Sequence, residues 1–154
     1  MRANDTQVGG SHYKRPGVIE HWDMVEMYGL GYLEGCATKY LARYSQKGGV
    51  QDLEKAGHYT LKLIEMVREQ GRGPRGSVPD YIIEQFCVGM DEMQRDAIRL
   101  LCQWRTTAQL ELVLNNLDSL IWSCRVDQET SWGRESYRPG TPEDGGHHGL
   151  QPSE

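Results

Sequence analysis

The chain reads as an all-α protein: a small bundle of about five to six short helices carrying a disordered C-terminal tail. Three observations predict it. Apolar residues recur at three- and four-residue spacing through six separate segments, no segment alternates in the manner of a strand, and glycines or Gly-Pro-rich stretches punctuate the segments at helical lengths. At 154 residues the chain can bury a core as one domain without disulfides or a structural metal.

Residues 1–10 read as a flexible lead, and Gly9-Gly10 introduces the turn-rich stretch Ser11-His12-Tyr13-Lys14-Arg15-Pro16. A first short helix is expected over 19–28, broken by Gly29-Leu30-Gly31. Over 32–46 the set Leu33, Ala37, Tyr40, Leu41 and Tyr44 falls on one helical face, and Gly48-Gly49 supplies the stop. Asp52 can start the next helix, whose buried stripe is Leu53, Ala56, Leu63, Ile64 and Val67 before Gly71 ends it.

Residues 71–79, Gly-Arg-Gly-Pro-Arg-Gly-Ser-Val-Pro, form a linker. Beyond it Ile82, Ile83, Phe86 and Met90 suggest one helix, and Met93, Ala97, Leu100, Leu101 and Trp104 a second. Leu110, Val113, Leu114, Leu117, Leu120 and Ile121 mark a last one, capped by Thr106 or Thr107. The organisation expected is therefore a helical motif region at 8–70, the linker at 71–79, C-terminal helices at 80–126 packing on the same domain, and a tail at 127–154. The last sixteen residues hold a single apolar side chain, too little to offset the entropy of ordering.

Charge divides the chain at the linker. Residues 1–75 carry 11 Lys+Arg against 9 Asp+Glu, whereas 76–154 carry 6 against 13, for a net charge of −5. That is no strong nucleic-acid signal, because a duplex-coating protein needs a larger basic excess on one face. A small anionic ligand needs only a local cationic pocket. No apolar run is long enough to span a membrane and the start lacks a signal-peptide pattern, so a cytoplasmic protein is expected. The four cysteines, Cys36, Cys87, Cys102 and Cys124, have no metal-ligand spacing and read as reduced thiols. Met24, Met27, Leu110, Val113, Leu117 and Ile121 look like more apolar surface than one small bundle buries, which predicts a homo-oligomer.

The sequence has no Gly-x-x-x-x-Gly-Lys-Ser/Thr loop, no Gly-x-Gly-x-x-Gly after a strand, no His-Glu-x-x-His and no Gly-x-Ser-x-Gly. The paired Glu-x-x-Glu and Glu-x-x-Asp sets of helical nucleotide pyrophosphatases are missing too. What remains is a dense cluster over 9–62. Lys39, Arg43 and Lys47 recur at i, i+4 and i+8, a cationic row leading to the bare backbone of Gly48-Gly49, an arrangement suited to phosphate. Lys55, His58 and Lys62 lie close to one face of the following helix, and Tyr13 and Trp22 are candidates for stacking on a base. Each feature also has a plainer reading, as a solvated face for the cations and as core packing for Trp22, Tyr59 and His58.

The blocks Gly9-Gly10-Ser11-His12-Tyr13-Lys14, Trp22-Asp23, Gly35-Cys36-Ala37-Thr38-Lys39-Tyr40-Leu41-Ala42-Arg43-Tyr44, Lys47-Gly48-Gly49 and Asp52-Leu53-x-Lys55-Ala56-x-His58-Tyr59 resemble the SaV-like family of phage proteins over roughly residues 8 to 68. Cys36 stands where that family often shows Asn. The family includes a small phage deoxynucleoside monophosphate kinase without a Walker loop, so the resemblance implies transfer of a phosphoryl group from a (deoxy)nucleoside triphosphate to a (deoxy)nucleoside monophosphate in the cytoplasm of an infected bacterial host. In that reading Lys39, Arg43 and His12 are catalytic. Ser11, His12, Tyr13, Lys14, Trp22, Lys39, Arg43, Lys47, Gly48, Gly49 and Lys55 bind nucleotide, and Asp23 or Asp52 orients a lysine or holds Mg²⁺. The family also implies an alternative, a non-catalytic helical protein that binds a nucleotide or a host defence protein.

Overall fold

The computed structural model describes Asp5 and residues 17–135, with side chains to residue 131. The described residues form six helices and no strand: α1 (His21–Met27), α2 (Tyr32–Arg43), α3 (Gly49–Gln70), α4 (Asp80–Phe86), α5 (Glu92–Gln103) and α6 (Thr107–Glu135). The all-α bundle expected from periodicity is what the chain forms. α2 packs on α3, α3 on α6, α6 on α5 and α5 back on α2, which closes a four-helix ring; α1 leans on α2 and α4 on α5. Leu41, Leu53, Leu63, Ile98, Leu101, Leu110 and Val113 fill its centre.

Local chemistry sets the helix ends. The side chain of Asp91 accepts from Gln94 N–H at 2.8 Å and caps α5. Thr106 and Gln109 bond reciprocally at the start of α6: Gln109 Oε1 accepts from Thr106 N–H at 3.2 Å and Thr106 Oγ1 from Gln109 N–H at 3.4 Å. Gly71 ends α3 in the left-handed conformation, φ +64°. The orphan carbonyl of Leu41 near the end of α2 accepts from the buried amide of Gln94 at 2.8 Å, tying α5 to α2.

Several boundaries differ from those expected. α2 stops at Arg43, and residues 44–48 form a turn closed by Gly49 N–H to the Tyr44 carbonyl at 2.8 Å. Lys47 therefore lies beyond the helix that carries Lys39 and Arg43. α6 continues to Glu135, past the tail boundary expected at 127; residues 136–154 lie outside the described residues.

Residues 71–79 hold no regular structure, as a linker should, yet they are strapped to the body. Arg72 donates from both terminal nitrogens to Glu34 at 2.8 Å each, and Trp104 Nε1 adds a bond to Glu34 Oε1 at 3.0 Å. Val78 is fully buried, its N–H bonds the Cys102 carbonyl, and its carbonyl accepts from Gln103. Gly76 passes so close to α1 that a Cβ there would sit 2.0 Å from the Tyr28 carbonyl oxygen. A carboxylate on α2 thus anchors both the loop and the end of α5.

Most of the apolar stripe expected to call for a second copy is covered within the chain. Met24, Leu110, Val113 and Leu117 lie within this chain's own core, and Ile121 is partly buried against it; of the six residues only Met27 is exposed. The antiparallel pairing of α3 with α6 covers the stripe that looked surplus in one dimension.

Candidate functional site

The turn between α2 and α3 is organised by a carboxylate. Asp52, 1 % exposed, accepts from Arg43 Nε at 2.7 Å and from the terminal nitrogen Nη2 at 3.0 Å, a bidentate clamp across the turn. The same carboxylate fills the space beside Gly48: a Cβ at that position would stand 2.0 Å from Asp52 Cγ. This arrangement bears on two residues of the expected phosphate row. The side where Gly48 would carry a Cβ is filled by the Asp52 carboxylate, and Arg43, expected as a ligand-facing cation, has Nε and Nη2 bonded to Asp52.

A second feature faces outward. Tyr40 of α2 and Tyr59 of α3 stack with centroids 5.8 Å apart and planes 12° from parallel, and Tyr32 meets Tyr59 edge-on at 6.1 Å. Two cations lie over the Tyr40 ring, the Arg43 guanidinium at 4.8 Å and Lys55 Nζ at 5.2 Å from its centroid. Beside them opens a cleft of about 410 Å³ lined by Tyr40, Gln51, Glu54, Lys55, His58 and Tyr59, a volume within the range of small-ligand sites. Hydrogen bonds with Cys36 and then with Tyr59 push the exposed Tyr32 hydroxyl up to about 12, so it stays protonated at neutral pH. Tyr40 and Tyr59 are only partly buried against the core, so both remain available to line the cleft.

On the opposite flank of α2, His21 Nε2 lies 2.9 Å from Thr38 Oγ1, within hydrogen-bond distance, and the Thr38 hydroxyl also reaches the Glu34 carbonyl at 2.8 Å. Burial, and after it the charge of Lys39, lowers His21 to about 4 against a bond to the Gly35 backbone that raises it. It is a neutral packing histidine against Phe86, ring centroids 5.9 Å apart.

The sequence-predicted residues thus separate into groups. Lys55 lies in the cleft together with His58, while Lys39 is exposed on α2 beside His21 and Lys47 is exposed in the turn. Trp22 is half-exposed on α1 and does not line the cleft. Lys62 pairs with Glu65 at 2.5 Å. Ser11, His12, Tyr13 and Lys14 lie outside the described residues. For Mg²⁺, Asp52 does not fit, since both its oxygens are taken by Arg43, and among the described residues no three His, Cys, Asp or Glu side chains converge. All four cysteines are free thiols, and no helix among the described residues is long and apolar enough to cross a membrane.

The Tyr40–Tyr59 stack, Gln51 and Glu54 are site features that the sequence pattern does not single out. The only signal for the stack was the tyrosine pair in the blocks around Lys39 and His58, and tyrosines at helical spacing read first as core.

Comparison with known proteins places the likeness on these same elements. Residues 8–61 are similar to DUF3310, a family described as proteins of unknown function. The match takes in α1, α2 and the first half of α3, and stops before the strapped loop. No curated protein and no solved structure matches the chain.

Proposed function

We propose that this chain binds a nucleotide at the α2/α3 cleft, with phosphate at Lys55 and the ring against Tyr59. The observation that carries the reading is the convergence of a lysine, a histidine and a stacked tyrosine pair, drawn from two helices, on one cleft of ligand size. Those are the two contacts a nucleotide demands. Stacking on an aromatic face contributes about 1–3 kcal/mol, and a hydrogen bond to a charged group about 1.5–3 kcal/mol. Lys39 and Lys47, exposed on the same helix and the turn after it, add long-range attraction for an anion.

Phosphoryl transfer between a nucleoside triphosphate and a nucleoside monophosphate is the reaction the sequence resemblance implies for such a site. It calls for positive charge around the moving group. With Arg43 held by Asp52, that charge comes from Lys55 among the residues lining the cleft, and the described residues support binding more directly than transfer.

The experiment is calorimetric titration with the four deoxynucleoside monophosphates and triphosphates, followed by incubation of donor and acceptor together and chromatography for nucleoside diphosphate. Binding that falls at least tenfold in Lys55→Ala and in Tyr59→Ala is expected. Product formation extends the reading to a kinase, and binding without product fixes it as a nucleotide-binding protein. No binding to any of them overturns it and leaves the host-protein alternative.

A further inference from the structure

The cleft contains a charge that opposes its proposed ligand. Glu54 lines it one residue before Lys55, so an anion drawn to the lysine meets a carboxylate on the same wall. Glu54 does not stand alone there: Arg125 of α6 reaches across the α3/α6 seam and places a terminal nitrogen 3.4 Å from Glu54 Oε1. This contact brings into the site a helix that lies wholly outside the matched residues 8–61.

We infer that Arg125 is a positioning residue of the cleft, holding and neutralising Glu54 so that the cleft accepts an anionic ligand. The inference rests on the nucleotide-binding reading and adds to it the part played by α6. Three features of the seam support it. Both side chains are more than half exposed, 61 % and 55 %, so the pair contributes little to folding and its effect is on the local charge of the cleft. A second cross-seam pair, Arg68–Glu111, joins the same two helices at their other ends. Glu54 and Arg68 are separated by 14 residues of α3, about 21 Å at the helical rise, beyond the reach of a ligand in the cleft. The seam therefore has a distant pair of similar exposure as an internal control. Finally, Glu54 and His58 stand at i and i+4 on the same helical face, so a Glu54 released by Arg125 can turn further into the cleft.

The test is titration of the parent and variants with the four deoxynucleoside monophosphates at low salt, about 20 mM, and at about 1 M, where the screening length shrinks to roughly 3 Å. Arg125→Ala is expected to weaken binding three- to tenfold at low salt and hardly at all at high salt. Arg125→Lys keeps the charge and retains most of the affinity, Arg68→Ala matches the parent, and adding Glu54→Gln to Arg125→Ala restores binding. That rescue is the decisive readout, because removing a carboxylate would not repair a merely structural loss. Parent-like binding by Arg125→Ala at low salt, or failure of Glu54→Gln to restore it, overturns the inference while the cleft reading stands. If the parent itself binds none of the four nucleotides, the cleft reading fails first and this one with it.

Discussion

Arg43→Ala separates the two roles open to the residue. A ligand-facing arginine on a solvated helix could be removed at a cost to folding of less than about 0.5 kcal/mol. The structure gives a different magnitude. Asp52 is 1 % exposed and both of its oxygens are bonded to Arg43, so truncation leaves a buried carboxylate without its cation. Breaking a buried pair in this way costs about 3–5 kcal/mol. Two terms reduce that figure: Asp52 sits in the first turn of α3, where the helix dipole favours negative charge by about 0.3–1 kcal/mol, and Arg43 is itself 19 % exposed, so water can enter the vacated space. We expect a loss of about 2–4 kcal/mol, or roughly 5–15 °C in melting temperature for a chain of this size. Urea unfolding followed by far-UV circular dichroism measures it. Arg43→Met combined with Asp52→Asn, which leaves no buried charge, should recover more than half of the loss. A change below about 0.5 kcal/mol in Arg43→Ala, together with a tenfold loss of nucleotide affinity, would refute the clamp and return Arg43 to the ligand.

Arg72→Ala should destabilise by a comparable amount, about 2–4 kcal/mol, because Glu34 is fully buried and keeps only the Trp104 indole as a side-chain donor; limited proteolysis should then cut within 71–79, and resistance there would argue against the strap. Gly48→Ala should cost about 1–3 kcal/mol by pushing its Cβ into the Asp52 carboxylate, whereas Gly73→Ala, with open space around it, should be neutral; equal stability of the two variants would contradict the packing at the turn. His21, lowered to about 4 in the folded chain against 6.5 unfolded, takes up its proton in the unfolded state first as pH falls. Stability is therefore intact above pH 6.5 and declines between 6.5 and 4, by at most about 3 kcal/mol. His21→Gln should flatten that slope in pH-dependent thermal melts, and parallel slopes for parent and variant would exclude His21 as the cause.

The helices themselves were legible in one dimension. Apolar spacing and glycine stops depend only on neighbours within a few residues, so α2, α3, α5 and α6 lie where the pattern places them and differ from it only at their ends. The end of α2 moved because the turn after it is decided by Asp52, nine residues from Arg43 and on the next helix. The end of α6 moved because composition records the scarcity of apolar residues after 127, whereas a helix already held along its length by α3 and α5 can run on without them.

Of the candidate site, the residue types were readable and their pairing was not. Lys39, Arg43 and Lys47 look alike as a row of cations, yet one clamps a buried carboxylate, one stands beside a neutral histidine and one lies past the helix end. Sequence by itself determined the fold class, the amphipathic faces and the concentration of basic and aromatic residues before the linker, all of which follow from local periodicity and composition. Tertiary structure alone decided that Glu34 and Asp52 each capture an arginine, that the glycine-rich linker is strapped to the bundle, that Tyr40 and Tyr59 stack over a cleft, and that Arg125 reaches Glu54. Those are contacts between residues 9 to 71 positions apart, and a charge chooses among distant partners by burial and geometry, which no spacing along the chain encodes.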